Sequence, residues 1–335
     1  MSDDGFVADP PTLFLTDADV AALADTDAAI AALRDAYSRP ENPAATPERA
    51  VAVTATGWQR VMTAAPPGIG YSGSKTISAS LANGLVSYLI TLFDQDDSRL
   101  VALIDGNRIT GLRTAATAAA ALTMLLPDRP LTAAVVGSGF EARAQLRAAA
   151  RVARLEAVRV TSPTAANRER FAAELSAELG VPVTAIARAE DAVAGAELVL
   201  CAARSRDETP TVRAEWVHPD ATIVSVGSTT PAQRELGPDL IARASIIVAD
   251  ALAEVLHDSG DMIAARTVGV DPDAVTVSLH ALLAGNVARP PRGIAIYKST
   301  GSGFQDIVLA SLLYERAVAA GRGTFLPAGI LTIRK

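Results

Sequence analysis

The sequence predicts an α/β protein, with a doubly wound parallel sheet joined to a smaller α+β domain. Two observations carry the parallel sheet. Short apolar runs at 133–136, 157–161, 181–186, 197–202, 222–226 and 245–248 alternate with helical stretches, the pattern of strands joined by crossover helices. The first run breaks into Gly137-Ser138-Gly139-Phe140-Glu141-Ala142 and Ala-rich helical sequence follows, which is the strand–turn–helix form of a dinucleotide fingerprint. A third observation sets the other domain apart. Between Glu48 and about Thr110, apolar runs are separated by Asn83-Gly84, Asp94–Asp97 and Asp105-Gly106, the turn chemistry of an antiparallel meander.

In chain order, Leu13–Leu15 reads as a short strand and Thr16-Asp17-Ala18-Asp19 as the capped start of a helical region reaching residue 38. A Pro- and Asn-rich loop (39–47) leads to the meander. Arg113 is expected to open a helix over 114–126, where the helix dipole disfavours a cation and a functional reason is needed. Pro127 and Pro130 end that helix and mark a boundary. The parallel-sheet domain is expected over 127–310 and is of the Rossmann type. After the alternating series come a strand from Ile294 and an amphipathic helix from about Gln305 to Ala320. A last strand within 324–333 rejoins the first domain, which therefore spans 1–126 with 311–335 returning.

The 335 residues suffice for two domains with full cores. A net charge of −7 without any Lys/Arg run argues against a nucleic-acid partner. The acidic start does not resemble a signal peptide, and the apolar run Thr114–Leu126 is too short to span a bilayer. No membrane association and a cytoplasmic location are expected. The single cysteine, Cys201, lies in an apolar strand, which excludes an intramolecular disulfide. The three histidines match no recognised ligand spacing, so no metal site is expected.

Within the fingerprint, Gly137 permits the tight turn, Gly139 lets the backbone approach a pyrophosphate, and Ala142 lets the helix pack close to the strand. Ser138, Phe140 and Glu141 complete the cofactor loop. An NAD site usually places an acid at the end of the second strand, but Val158–Arg168 contains none. Ser162 and Thr164 suit a 2′-phosphate. Arg168 either neutralises it or is a solvated helix residue. NADP(H) is favoured over NAD(H).

Several motifs, in order and correctly spaced, resemble the ornithine cyclodeaminase/μ-crystallin family. They are Lys75-Thr-Ile, Asp105-Gly-Asn-Arg-Ile-Thr-Gly-Leu-Arg-Thr-Ala-Ala, the fingerprint, Val226-Gly-Ser-Thr-Thr-Pro-Ala-Gln-Arg-Glu-Leu, Asp258-Ser-Gly-Asp, Tyr297-Lys-Ser-Thr-Gly and Gln305-Asp. The resemblance spans about residues 49–310. It implies a substrate-binding and dimerisation domain made by both chain ends, hence a homodimer, and NAD(P)-linked chemistry at the C–N bond of a small 2-imino or 2-amino acid. By position, Arg49, Lys75 and Arg113 match the basic residues that hold the substrate carboxylate and face the reacting carbon. Arginine suits a bidentate carboxylate clamp, and a buried lysine of lowered pKa suits proton transfer. Met62 and Thr229 are expected to line the substrate pocket, and Thr114, Gly227 and Ser228 to contact the cofactor.

One position departs from the pattern. The cyclodeaminases and related alanine dehydrogenases carry an aspartate two residues after the glycine corresponding to Gly227, where this sequence has Thr229. Threonine is no general base at neutral pH, which favours reduction of a preformed imine over cyclodeamination. The alternatives are a cyclodeaminase-like lyase with bound NAD and a non-catalytic, NADP-dependent binding protein like μ-crystallin.

Overall fold

The computed structural model describes residues 6–7, 11–203, 205, 208–327 and 329–333. The chain forms two compact units, one of Met1–Arg113 with Ser302–Lys335, the other of Thr114–Gly301. Both boundaries differ from those expected at 126/127 and 310/311. The reason is local packing: Ile109 is fully buried and Arg113 is bonded to Gln305. Gly303 and Ile307 lie against the strands of the first unit.

In the first unit, a seven-stranded sheet has the order Thr324–Phe325, Leu13–Leu15, Leu100–Asp105, Leu85–Asp94, Tyr71–Ser80, Gly57–Ala64, Ala50–Val53. The last five form the expected antiparallel meander. The chain end returns to it as Thr324–Phe325 beside Leu13–Phe14, and Thr332–Ile333 pairs with Phe6–Val7. Asn83-Gly84 turns the chain as expected, with Gly84 at φ 63°. Asp105-Gly106 does something else. The Asp105 carboxylate accepts the Asn107 N–H at 2.9 Å and starts a helix that runs Asn107–Leu125. Arg113 therefore sits in the second turn and not at the helix start, so the dipole argument for it fails.

Residues 17–38, expected as one helical region, form two helices, Asp17–Leu23 and Thr26–Ser38. The break is made by Asp25, whose side chain accepts the Ala28 N–H at 2.8 Å as an N-cap. The C-terminal helix, Gly303–Ala320, was expected to be amphipathic. Its first half is instead buried on all sides from Gly303 to Ser311, because it packs on the Tyr71–Ser80 strand and on the Thr26–Ser38 helix.

The second unit holds an eight-stranded, wholly parallel sheet. Its order is Val183–Ile186, Leu155–Thr161, Leu131–Val136, Leu198–Cys201, Thr222–Ser225, Ile294–Lys298, Ala244–Ala249, Thr276–Ser278. Ile294–Lys298, expected after the parallel series, inserts between two of its strands. The strand order reverses between Leu131–Val136 and Leu198–Cys201, the switch point beyond whose carboxyl ends ligands bind in such sheets. Cys201 is a buried free thiol in the sheet core. Among the described residues no helix is long and apolar enough to cross a membrane, and no His/Cys/Asp/Glu group is arranged to hold a metal ion.

Candidate functional site

The first unit places a lysine where lysines are rarely found. Lys75 lies mid-strand with its side chain wholly buried, facing the C-terminal helix, and Nζ donates to Asp306 Oδ1 at 2.7 Å. Burial pushes its pKa down to about 8. Asp306 pulls the other way, while the nearby Arg113 and Arg60 charges lower it further. Arg113 Nη1 donates to Gln305 Oε1 at 2.8 Å and Nε lies 3.4 Å from Asp306 Oδ1. Gln305 in turn donates to the Tyr37 hydroxyl at 3.1 Å. The guanidinium is thus held by consecutive residues of one helix. Met62 pairs directly with Lys75 across the strands, so both face the same side. Arg49 stands one residue ahead of Ala50, itself opposite Val61, and so falls at the end of the Met62–Lys75 row. Sheet register brings Arg49, Met62 and Lys75 together, and the helix Asn107–Leu125 adds Arg113, which Gln305 and Asp306 of the C-terminal helix hold.

The second unit carries the fingerprint at the switch point. Gly137 has φ 118°, and a Cβ there would stand 2.6 Å from the Ala202 carbonyl oxygen, so only glycine fits. A Cβ on Gly139 would meet nothing within 4 Å. The following helix, Phe140–Val152, has Gly139 as N-cap with no side-chain capping bond, leaving its first N–H groups for an anion. Glu141 lies in the first turn of that helix and Phe140 is exposed beside it. Ala142 is fully buried against the sheet. Ser138 Oγ donates to Ser162 Oγ at 2.9 Å and ties the loop to the end of the second strand. A cavity of about 470 Å³ opens there, lined among others by Ser138, Ser162, Thr164, Asn167 and Thr211. These features fit a dinucleotide. Arg168, expected at a 2′-phosphate, donates instead to the carbonyls of Ser162 (3.1 Å) and Pro163 (3.5 Å), and it does not line the cavity.

A second buried charge network was not singled out in the sequence. Lys298 and Asp261, both fully buried, pair at 3.0 Å, and Lys298 Nζ donates to Ser225 Oγ at 2.7 Å. Ser225 and the Gly227 N–H donate to Glu235 Oε2, and the Ala203 N–H donates to its Oε1. Burial raises Glu235 to about 7 against the pull of Lys298. A Cβ on Gly227 would lie 2.4 Å from this carboxylate, so Gly227 is the place where the loop closes on Glu235. Ser228, also wholly buried, donates to the Gln233 carbonyl at 2.9 Å. Its hydroxyl is engaged within the loop. The Thr229 N–H and hydroxyl both donate to Gln233 Oε1. Thr114 is buried in the long helix. The signal that would have found Lys298 is composition. Lysine occurs three times among 30 basic residues, as Lys75, Lys298 and Lys335. Two of the three are buried, and the third lies outside the described residues.

The profile of the ornithine cyclodeaminase/mu-crystallin family matches residues 11–321. The iminosuccinate reductase of Paracoccus denitrificans is 32% identical over 69% of this chain and 71% of its own. The ketimine reductase mu-crystallin of Mus musculus is 29% identical over 68% of each chain. The structure of Thermococcus litoralis Δ1-pyrroline-2-carboxylate reductase with NADH and L-proline superposes with a TM-score of 0.87. It is 27% identical and covers 94% of this chain and 100% of that one.

Since the chain has so few lysines, a ¹³C-lysine NMR titration resolves Lys75 individually. Its midpoint is expected near pH 8. In Asp306→Asn it is expected to move lower, because the charge that stabilises the ammonium is gone. An unmoved midpoint would show that Asp306 does not hold that proton.

Proposed function

This chain belongs to the ornithine cyclodeaminase/mu-crystallin family, and on that footing we propose that it reduces the C=N bond of a small 2-imino acid. In reverse it is an amino acid dehydrogenase. The observation that carries the reading is a buried lysine whose proton is held by Asp306, beside an arginine pinned by the same helix. A bound nicotinamide dinucleotide supplies the hydride. Arg113, with Arg49, receives the substrate carboxylate, and two guanidinium donors meet two carboxylate oxygens in one plane. Lys75, ionised below about pH 8, delivers the proton that the imine nitrogen gains, and accepts it in the reverse direction. Thr229 offers no base for cyclodeamination, and its hydroxyl donates to Gln233.

NADP(H) is the cofactor we favour. The loop after Thr161 presents Ser162 and Thr164 to the cavity, the first turn of the next helix presents Asn167, and neither adds a carboxylate, so nothing there repels a 2′-phosphate. Arg168 supports that loop through its carbonyls. We further propose a homodimer through the sheet face opposite Lys75. That face presents Phe14, Leu85 and Leu89, all exposed, and a column of Ser72, Ser74, Thr76, Ser78 and Ser80. A broad sheet face of hydroxyl and apolar side chains calls for a partner, and a second copy supplies the matching surface.

The deciding assay follows NADPH and NADH oxidation with imines formed from pyruvate, glyoxylate or oxaloacetate and ammonia or methylamine, and with cyclic ketimines. Steady turnover is expected. Ammonia release from ornithine without imine reduction would overturn the reductase reading.

Arg113→Ala is expected to lower kcat/KM about 100-fold while fluorescence titration shows unchanged NADPH affinity. Equal kinetics would remove the carboxylate role. Reductive turnover is expected to fall as pH rises through about 8, as Lys75 loses its proton. Lys75→Met is expected to be slower by about 100-fold and to lack this limb in its pH–rate profile; a limb that survives would assign it to another group. In size-exclusion chromatography with light scattering, the wild type is expected at twice the chain mass and Leu89→Arg at the chain mass. A monomeric wild type refutes the dimer.

A further inference from the structure

We propose that Glu235 is a positioning residue for the dinucleotide. As a carboxylate it holds the part of the cavity wall made by Ala203 and Thr211 in the shape that takes the cofactor, and protonation releases that wall. The inference rests on the dinucleotide reading of the second unit and is independent of which C=N bond is reduced.

Residue 235 is the point from which that wall hangs. Its side chain accepts the Ala203 N–H on Oε1 at 2.9 Å and the Gly227 N–H on Oε2 at 2.7 Å. Its backbone carbonyl accepts the Thr211 N–H at 2.9 Å and the Thr211 hydroxyl at 3.2 Å. Ala203 and Thr211 both line the cavity beside the fingerprint. The strand Leu198–Cys201, which leads into Ala203, neighbours the fingerprint strand Leu131–Val136 on the side away from Ser162. Contact with the fingerprint is direct. A Cβ on Gly137 would stand 2.6 Å from the Ala202 carbonyl oxygen and 3.5 Å from the Ala203 nitrogen. A shift of this segment therefore moves the wall against the turn whose backbone approaches the pyrophosphate.

The clamp depends on charge. Three hydrogens converge on the two carboxylate oxygens, from Ala203, Gly227 and the Ser225 hydroxyl, and bonds to an ionised acceptor are roughly twice as strong as neutral ones. A protonated carboxyl carries its own hydrogen on an oxygen that already faces a donor. Even where Ser225 rotates to accept that hydrogen, the two backbone N–H groups are left on a neutral acceptor. Among the described residues, the charged groups that face Glu235 are Lys298 and Asp261, with the Cys201 thiol buried beside them. Burial raises the Glu235 pKa most, Lys298 lowers it and Asp261 raises it again, to about 7. Asp261 also accepts the Glu235 N–H at 2.9 Å, which fixes the backbone and leaves the carboxyl to titrate. Arg234, next in the chain, turns its donors to the Pro231 and Gln233 carbonyls and to Glu208. The wall is accordingly held above neutral pH and loosened below it, on the opposite limb from Lys75.

The test measures affinity for NADPH by fluorescence titration from pH 8 to pH 6 in the wild type, Glu235→Gln and Glu235→Asp, with circular dichroism to confirm the fold. In the wild type Kd is expected to rise about tenfold over that range, as the fraction of chains with a charged carboxyl falls. Glu235→Gln, neutral throughout, is expected to bind at pH 8 as weakly as the wild type does at pH 6 and to lose this slope. Glu235→Asp is expected to recover part of it. The 2′-phosphate of NADPH titrates near about pH 6 with all three proteins alike, so the slope is read as the difference between the wild type and Glu235→Gln. Calorimetry of the wild type in buffers of different ionisation enthalpy needs no variant. NADPH binding at pH 7 is expected to release about half a proton. Parallel slopes in the wild type and Glu235→Gln, or release of no more than about a tenth of a proton, overturn the proposal, as does a wild type that binds no NADPH at any of these pH values. None of these measurements reads turnover, so a chain that binds as expected and reduces no imine refutes the reductase reading alone.

Discussion

The contact on which the first unit depends is the ion pair between Lys75 and Asp306, two wholly buried side chains 231 residues apart in the chain. An isolated ammonium in that position would cost several kcal/mol, so strand and helix must meet closely enough for the pair to form. Glycines make the approach possible. A Cβ on Gly73 would stand 2.0 Å from the Thr91 carbonyl oxygen and 3.0 Å from Ile307, and one on Gly303 would stand 2.7 Å from the Thr63 carbonyl oxygen. The same pair gives Lys75 its chemistry. Burial loosens the proton, Asp306 holds it, and the balance lies near the pH at which a proton donor is useful.

The second unit solves a similar problem for a different end. Lys298, Asp261 and Glu235 form a buried chain of charges through Ser225. Its hydrogen bonds end on the N–H groups of Ala203 and Gly227, each just beyond the carboxyl end of a strand near the switch point. Ala203 lines the cavity beside the fingerprint. Here the buried carboxylate acts as a clamp for two loops, and its raised pKa follows from burial rather than from any catalytic task. The protein thus reserves lysine almost wholly for buried ammonium positions and uses arginine elsewhere. That division is sensible, since ammonium pKa values yield to burial more readily than guanidinium ones.

What could be read without coordinates was local in origin. Turn chemistry at Asn83-Gly84, the strand alternation and the glycine spacing of the fingerprint are set by neighbours within a few residues, and all appear as expected. Sequence and structure diverge where the same local signal has two outcomes. Asp-Gly serves a hairpin or a helix cap, and Asp105 chose the cap because its carboxylate meets the Asn107 N–H. That choice places Arg113 in the helix interior, so the dipole argument drops out and only the family resemblance points to the residue. Its place is explained by Gln305 and Asp306, not by the dipole. The helix Gly303–Ala320 is covered on several sides over its first half, and periodicity alone does not tell such a helix from an amphipathic one.

From the sequence alone came the two-domain α/β plan, the fingerprint loop, the family resemblance and the basic residues Arg49, Lys75 and Arg113. Each rests on short-range spacing or on the identity of single residues. Only the tertiary structure decided that Ile294–Lys298 belongs inside the parallel sheet, that Asp306 is the partner of Lys75, and that Arg60 shares its face. Pairing of this kind depends on which strands become neighbours and in what register. A shift of one residue would turn every side chain to the other face, and no local pattern records which register the packed core selects.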